Sequence, residues 1–502
     1  MKYSLISIIV LVVTFSQFHA VLGQEVSGAN NLSKPNVLFL FVDDLRADLG
    51  AYGNKIVRTP NLDSLAERGF LFTNQYANVP TCGASRYVLL TGKLPQTTGH
   101  LSNDIFAHDL ARRPKSEVPE SFVDHLRRNG YKTIGIGKIS HSADGYFYPY
   151  NADKSDVLEL PYSWEEMLFN PGEWETGWKA FFAGVNGRSR ITLNGQMKPY
   201  ESVDVTDTDY PDGLTAQLAI DKLDELADED EPFFLGVGFF KPHLPFNAPK
   251  KYWDLYNEDK IPLSESPDLP ENVDRASLIQ SEEFNQYKLG EEHPRLDRPV
   301  SDAYARKLKH AYYASISYVD AMIGKVLQTL REKNLDRNTI IIVWGDHGWQ
   351  LGDHRIWGKH TLFDLSLKST YIMKLPGDQK GGRVVDEVIS AVDLYPTLMD
   401  LCGISMPAIE YDGASYAKLL TEGKDRHWKN TAFAYFKNGI SLKTSQYRIT
   451  KYFRDTNFPV ELYDHRRDPH ESKNIVDQKP KVVDRLLIEL EKGNTGLYNG
   501  NK

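Results

Sequence analysis

Two hydrophobic patterns take turns along most of the chain: continuous apolar runs of strand length, and stretches in which apolar residues recur every three or four positions. Val37-Leu38-Phe39-Leu40-Phe41-Val42 is the first such run. Its β-branched and aromatic content, with no polar alternation, predicts a strand covered on both faces, as in a parallel sheet. Residues 132–137, 232–239, 339–344 and 371–373 predict further strands. Between them, Thr59 followed by Pro60 opens a helix that Gly69 stops, residues 82–91 form a short helix closed by Gly92, and residues 121–128 form another ended by Asn129-Gly130. Residues 301–333 carry Leu308, Tyr312, Ile316, Val319, Ile323 and Leu327 at helical spacing, a core stripe, and residues 392–401 predict one more helix. Strand alternating with helix is the α/β pattern with a mostly parallel central sheet.

Three regions break the alternation. Residues 145–210 are rich in aromatics, proline and glycine, with Trp164, Trp174 and Trp178, and read either as a specificity-shaping excursion or as packing over the core. Residues 265–299 are polar and predict a surface excursion. After Gly403 the strands become shorter and a terminal helix follows over residues 481–492, so a boundary falls near residue 405, dividing a main domain (24–405) from a C-terminal subdomain (406–502).

Composition narrows the class. The 502 residues are 41% hydrophobic and 25% charged, enough for one large core and a satellite domain. A net charge of −9 argues against an electrostatic grip on nucleic acid or anionic membrane. Residues 1–23 carry Lys2, an apolar run over 5–13 and small residues Ala20 and Gly23, the shape of a signal peptide, which predicts export to the periplasm or beyond. That run is short for a span and no later stretch is long enough, so no stable membrane insertion is expected. The only cysteines are Cys82 and Cys402. Cys402 ends an apolar helix and reads as a small hydrophobe, which leaves Cys82 alone and chemically notable in an exported chain.

Cys82 opens its helix, with Arg86 one turn on, a setting that attracts oxyanions. The thiol itself is either a lowered-pKa nucleophile or a buried apolar residue. Asp43-Asp44 ends the first strand and Asp346-His347 another, where open α/β sheets keep their sites. Together they form an oxygen-dominated set with one borderline nitrogen, suited to calcium or magnesium with room for zinc or manganese. Lys138 and His141 follow a third strand, and Lys241-Pro242-His243-Leu244-Pro245 a fourth, its prolines predicted to hold His243 in an extended loop. Lys359 lies beyond Asp346.

Cys82-Gly83-Ala84-Ser85-Arg86 with Leu90-Thr91-Gly92 resembles the signature of type I sulfatases, and the other groups occur in that family's order across residues 36–375. Glu461-Leu462-Tyr463-Asp464 with Asp468-Pro469 and Glu471 is similar to the family as well. Lys241 to Phe246, the spacing of Lys138 and His141, His347 and Gly348-Trp349 most resemble the subgroup of iduronate 2-sulfatase and bacterial polysaccharide sulfatases, ulvan-active ones included. The resemblance implies an alkaline-phosphatase-like α/β sandwich with a smaller C-terminal α+β domain built on an antiparallel sheet. It implies conversion of Cys82 to 3-oxoalanine (formylglycine) by a formylglycine-generating or anaerobic sulfatase-maturing enzyme. It also implies one divalent metal, calcium first, on Asp43, Asp44, position 82, Asp346 and His347. In the implied mechanism a hydroxyl of the hydrated aldehyde attacks sulfur, and Lys138, Lys359 and Arg86 hold oxygen charge. His243 protonates the leaving sugar oxygen and His141 deprotonates the remaining hydroxyl. Sulfated uronic-acid glycans are the implied substrates, with Trp349, His100 and Asn103 as candidate sugar contacts. Ala84 stands where many members have proline, and His347 where many have asparagine. The rival readings are a phosphodiesterase or phosphonate hydrolase of the same superfamily and a non-catalytic glycan-binding relative.

Overall fold

Eight strands form the central sheet of the computed structural model, which describes residues 34–498 apart from 153, 378–381, 408–410 and 455–457. The leader-like residues 1–23 lie outside the described residues. In chain order the strands are β1 (Asn36–Val42), β2 (Phe70–Phe72), β3 (Lys132–Gly137), β4 (Glu166–Leu168), β5 (Phe233–Phe239), β6 (Thr339–Gly345), β7 (Tyr371–Lys374) and β8 (Arg383–Val385). Their spatial order is β8-β2-β7-β6-β1-β5-β3-β4. β1 lies at the centre, parallel to β6 on one side and β5 on the other, with Val37 opposite both Ile340 and Phe234. β7 runs antiparallel to both of its neighbours, the departure from an otherwise parallel sheet.

Alternation along β1 explains the two layers that cover it. Leu38, Leu40 and Val42 face one apolar cluster, and Val37, Phe39 and Phe41 face another. The first is closed by helices α1 (Pro60–Glu67), α4 (Pro211–Leu226) and α5 (Asp302–Glu332). The second is closed by α2 (Cys82–Thr91), α3 (Phe122–Arg128) and α6 (Leu394–Leu401). A strand buried on both faces needs no polar alternation, as its sequence lacks any. Among the described residues no helix is long and apolar enough to cross a membrane.

The chain ends in a four-stranded antiparallel sheet of β9 (Thr431–Phe436), β10 (Gly439–Thr444), β11 (Tyr447–Tyr452) and β12 (Val460–Asp464), packed by α7 (Pro480–Leu490). Cys402 is buried at the end of α6 and is unbridged, as its apolar setting predicts.

Two expectations change. The Lys241–Pro245 segment is not extended: both X-Pro bonds are cis and the His243 N–H donates to the Phe240 carbonyl, so the chain makes a tight turn there. Residues 265–299 are more than a surface excursion, because Leu278, Ile279, Phe284, Tyr287 and Leu296 are buried.

Candidate active site

Four neighbouring parallel strands, β6, β1, β5 and β3, deliver their following residues to one edge of the sheet. β1 ends in Asp43 and Asp44, β6 in Asp346 and His347, β3 in Lys138 and the loop to His141, and β5 in Lys241 and the turn holding His243. Asp44 sits in the left-handed region at φ 58°, a conformation that costs a non-glycine residue energy and that its surroundings must enforce. Its N–H donates to Asp346 Oδ1 (3.0 Å) and its carbonyl accepts from Tyr312 (2.7 Å).

Cys82 is the first residue of α2, which Gly92 terminates at φ 66°. Gly83 lies so close to Asn103 that a Cβ there would fall 2.7 Å from its backbone, and Asn103 Oδ1 accepts the Gly83 N–H at 2.8 Å. Asn103 thereby satisfies a donor that the helix start leaves unpaired. Around Cys82 Sγ stand Lys359 Nζ and His347 Nε2, each at 3.3 Å, and Asp44 Oδ1 at 3.9 Å. Burial, then Asp43, push the thiol well above the ordinary cysteine value. The surroundings of Cys82 favour the protonated thiol, the opposite direction from a lowered-pKa nucleophile.

The charges form a closed lattice. Lys138 Nζ donates to Asp43 Oδ2 (2.7 Å) and Lys359 Nζ to Asp44 Oδ1 (2.8 Å). Arg86 spends its fork on Asp346 Oδ2 (3.0 Å), Asp43 Oδ1 (3.1 Å) and the Lys138 carbonyl (2.6 Å). Fully buried in this way, Arg86 differs from the expected oxyanion contact: it braces the carboxylates and the end of β3, and does not line the cavity. Burial alone would raise Asp43, but Lys138, His243 and Arg86 hold it well below the usual carboxylate range. Burial instead pushes Asp44 up to about 7 against the pull of Lys359.

Two histidines are oriented by the carbonyl of the next residue. His347 Nδ1 faces Gly348 O at 3.0 Å and His243 Nδ1 faces Leu244 O at 2.7 Å, so in both rings Nδ1 carries the proton and Nε2 points inward. His243 Nε2 meets Glu283 Oε1 at 2.9 Å. Burial and Lys359 pull His243 down to about 4, while Glu283 pulls the other way. With Nδ1 committed, the 2.9 Å contact closes as a hydrogen bond when a proton lies between ring and carboxylate; burial would raise Glu283, but Lys359 and His243 hold it well below its usual value. His141 is brought well below the ordinary histidine value by burial and then Lys138, and its Nδ1 has no hydrogen-bond partner among the described residues. Two buried carboxylates fix the backbones that carry these rings. Glu159 Oε2 accepts the N–H groups of His141 (2.9 Å) and Ser142 (2.8 Å), and Asp212 accepts those of Phe240 and Lys241 through separate oxygens, each at 2.8 Å.

A cavity of about 230 Å3 opens over this centre. Cys82, Lys138, His141, His243 and Lys359 line it together with Asn103, Tyr150, Phe181, Phe182, Arg190, Glu283 and His360. Of the three expected sugar contacts only Asn103 lines it. Trp349 is wholly buried beneath Lys359, whose Nζ lies 5.2 Å from its ring, and His100 pairs with Asp109 at 2.8 Å. Glu283, Arg190 and Glu159 were not legible in the sequence: they come from aperiodic segments, and no motif links them to the strand ends.

The donor set fits a divalent cation. One ligand atom each from Asp43, Asp44, Cys82 and His243, and likewise from Cys82, Asp346 and His347, lie within 4.8 Å of one another. Asp44 Oδ2 is buried without a hydrogen-bond partner among the described residues. Asp43, Asp44, Asp346 and Glu283 also outnumber the fixed cations Arg86, Lys138 and Lys359, an imbalance that a hard cation relieves.

Comparison with known proteins gives a family model described as Sulfatase over residues 35–404 and one described as N-sulphoglucosamine sulphohydrolase, C-terminal, over residues 352–495. Iduronate 2-sulfatase of Homo sapiens is 30% identical over 434 residues, 80% of this chain and 75% of that protein. A solved structure in complex with its substrate D-glucosamine-2-N,6-O-disulfate superposes with a TM-score of 0.69 at 20% identity, covering 93% of this chain and 99% of that one. A phosphonate monoester hydrolase from Silicibacter pomeroyi superposes with a TM-score of 0.72 at 22% identity, covering 92% and 95%. At these identities the two structures speak to the fold alone.

Proposed function

The chain belongs to the sulfatase family and is a sulfuric ester hydrolase, and on that premise we propose that it removes sulfate from uronic-acid-containing glycan fragments, of glycosaminoglycan or ulvan type, after export. The observation that carries the chemistry is the convergence of Cys82, Lys138, Lys359, His141 and His243 on one cavity above a carboxylate cluster. The similarity to a relative named iduronate 2-sulfatase supports the uronic-acid assignment.

Converted to 3-oxoalanine by a maturing enzyme, position 82 supplies a hydrated aldehyde as nucleophile toward sulfur. Asp43, Asp44, Asp346 and His347 would hold a divalent cation, calcium by their hard donors, adding positive charge where sulfate oxygens gain negative charge. Burial works against its charge, but Asp44 and Glu283 hold Lys359 well above the usual lysine value, so it remains an ammonium. With Lys138 it flanks the sulfate oxygens. His243, whose Nε2 lies 2.9 Å from Glu283, is the group assigned to protonate the leaving sugar oxygen, and His141, held well below the ordinary histidine value, is assigned to take a proton beside position 82.

The mass of the Cys82 peptide, from protein produced with a sulfatase-maturing enzyme, tests this together with turnover of sulfated uronates. We expect an aldehyde or its hydrate, and a Cys82→Ala loss of activity of about 10^3-fold or more. An unmodified thiol in protein that still hydrolyses sulfate esters would overturn the formylglycine mechanism. An aldehyde with no sulfated uronate hydrolysed would overturn the substrate class.

A further inference from the structure

Three lysine and arginine side chains line the cavity, and two of them rest on carboxylates: Lys138 on Asp43, and Lys359 on Asp44 and Glu283. Arg190 has no carboxylate oxygen within 4.0 Å among the described residues. Its one side-chain hydrogen bond there runs from Nη1 to the neutral Gln286 Oε1, at 2.6 Å. The guanidinium carbon lies over Phe182, 3.7 Å from the ring centroid, with the Tyr287 centroid at 5.2 Å. Stacking orients the fork and strips water from one face without neutralising the charge, and the remaining N–H groups find no protein acceptor among the described residues. Phe182 also reaches the ring of His243, with centroids 6.2 Å apart. Arg190 therefore stands one aromatic ring away from the group that faces the leaving oxygen, within reach of another substituent on the same sugar.

Resting on the sulfatase reading above, we infer that Arg190, steered by Phe182 and Gln286, binds a second oxyanion on the sugar that bears the scissile sulfate. A carboxylate and a sulfate ester both accept two parallel N–H bonds from such a fork. Neither is met by Lys138 or Lys359, which the lattice around position 82 already engages. Glu282, the other acid on the cavity wall, makes no ion pair with Arg190 among the described residues.

The test uses the full chain carrying the aldehyde and three matched substrates: a sulfated uronic acid, its counterpart with the carboxylate reduced to an alcohol, and that counterpart with a second sulfate on the new alcohol. Wild-type protein should favour one of the two anionic sugars, and which one identifies the oxyanion. Arg190→Met should shrink the kcat/KM ratio of that sugar to the neutral one by about 10- to 100-fold, mainly through KM. Arg190→Lys should restore part of the ratio. Gln286→Glu, which sets a carboxylate against the guanidinium without removing it, should shrink the ratio as well. Equal losses on all three substrates in Arg190→Met, or an unchanged ratio in Gln286→Glu, would overturn the assignment. So would hydrolysis of 4-nitrophenyl sulfate with none of the sugars cleaved, an outcome that leaves the sulfatase reading standing. No turnover of any sulfate ester would overturn both.

Discussion

Glu159 and Asp212 are carboxylates with the same task and different geometry, and that difference is measurable. Each accepts two backbone N–H groups in the segment carrying a histidine of the site, but Glu159 uses one oxygen for both and Asp212 uses one for each. A glutamine keeps one carbonyl oxygen, so Glu159→Gln should stay within about threefold of wild-type turnover. In Asp212→Asn an N–H meets an amide NH2, and a buried donor left unpaired costs about 1–3 kcal/mol. Turnover should then fall about tenfold or more, with the loss in kcat as the His243 turn shifts. Equal sensitivity of the two conservative variants, measured on one aryl sulfate, would sink this account. Arg86 makes a related point. The family motif puts it near the oxyanion, yet all of its contacts go to Asp43, Asp346 and the chain after β3, so its charge acts by holding the carboxylates together.

At the scale of elements, the chain after β1 is tied to the chain after β6 by Arg46, which donates to the Trp349 carbonyl (3.1 Å) and to Asp353 Oδ2 (3.2 Å). Burial would raise Asp353, but Arg46, with Ser264 and the Leu351 N–H, lowers it from 3.8 to about 2. A depressed carboxylate pKa stabilises the fold above the unfolded value, and the benefit is lost as pH falls through the folded one. The stabilisation, about 2 kcal/mol for a shift of this size, is thus present above pH about 4 and gone near pH 2. Asp353→Asn should lower the unfolding free energy by about that amount at pH 7, and by much less near pH 2. Denaturant titrations at the two pH values check it, and a pH-independent difference would remove the ion pair from the explanation. The strands and helices that carry Asp43, Cys82, Lys138, His243 and Asp346 were legible because burial imposes a period on them, and the site residues follow at their ends. Glu283 and Arg190 were not, because segments 265–299 and 145–210 have no period and meet the site only in space. The His243 turn departs from the extended loop that its sequence predicts for a related reason: two prolines fix φ, but sequence does not state the isomer of the bond before each.

Across the whole molecule, the C-terminal sheet reaches the loop that carries Lys359. Glu471 Oε2 accepts the Asp364 N–H at 2.8 Å, five residues after Lys359, and Phe436 of β9 stacks on His360, which lines the cavity. Glu471 is itself held by Arg448 Nε of β11 at 2.5 Å and by His465 at 2.8 Å. Burial opposes its charge, but Arg448, then His465, hold it well below the usual carboxylate range. Both partners of the Arg448–Glu471 pair are almost completely buried, so removing one leaves an uncompensated charge where water cannot reach it. Glu471→Gln should therefore cost about 3–5 kcal/mol, and the double replacement of Arg448 and Glu471 by methionine less than the single change. Because Glu471 also fixes the backbone beside Asp364, the double variant should still lose turnover through the Lys359 loop after most of its stability returns. Unfolding and kinetics on the same two proteins separate the effects. If stability and turnover recovered together, the sheet would act on the site only by keeping the molecule folded. If stability returned without turnover, the antiparallel sheet would be part of the catalytic apparatus, positioning Lys359 and His360 from outside the central sheet.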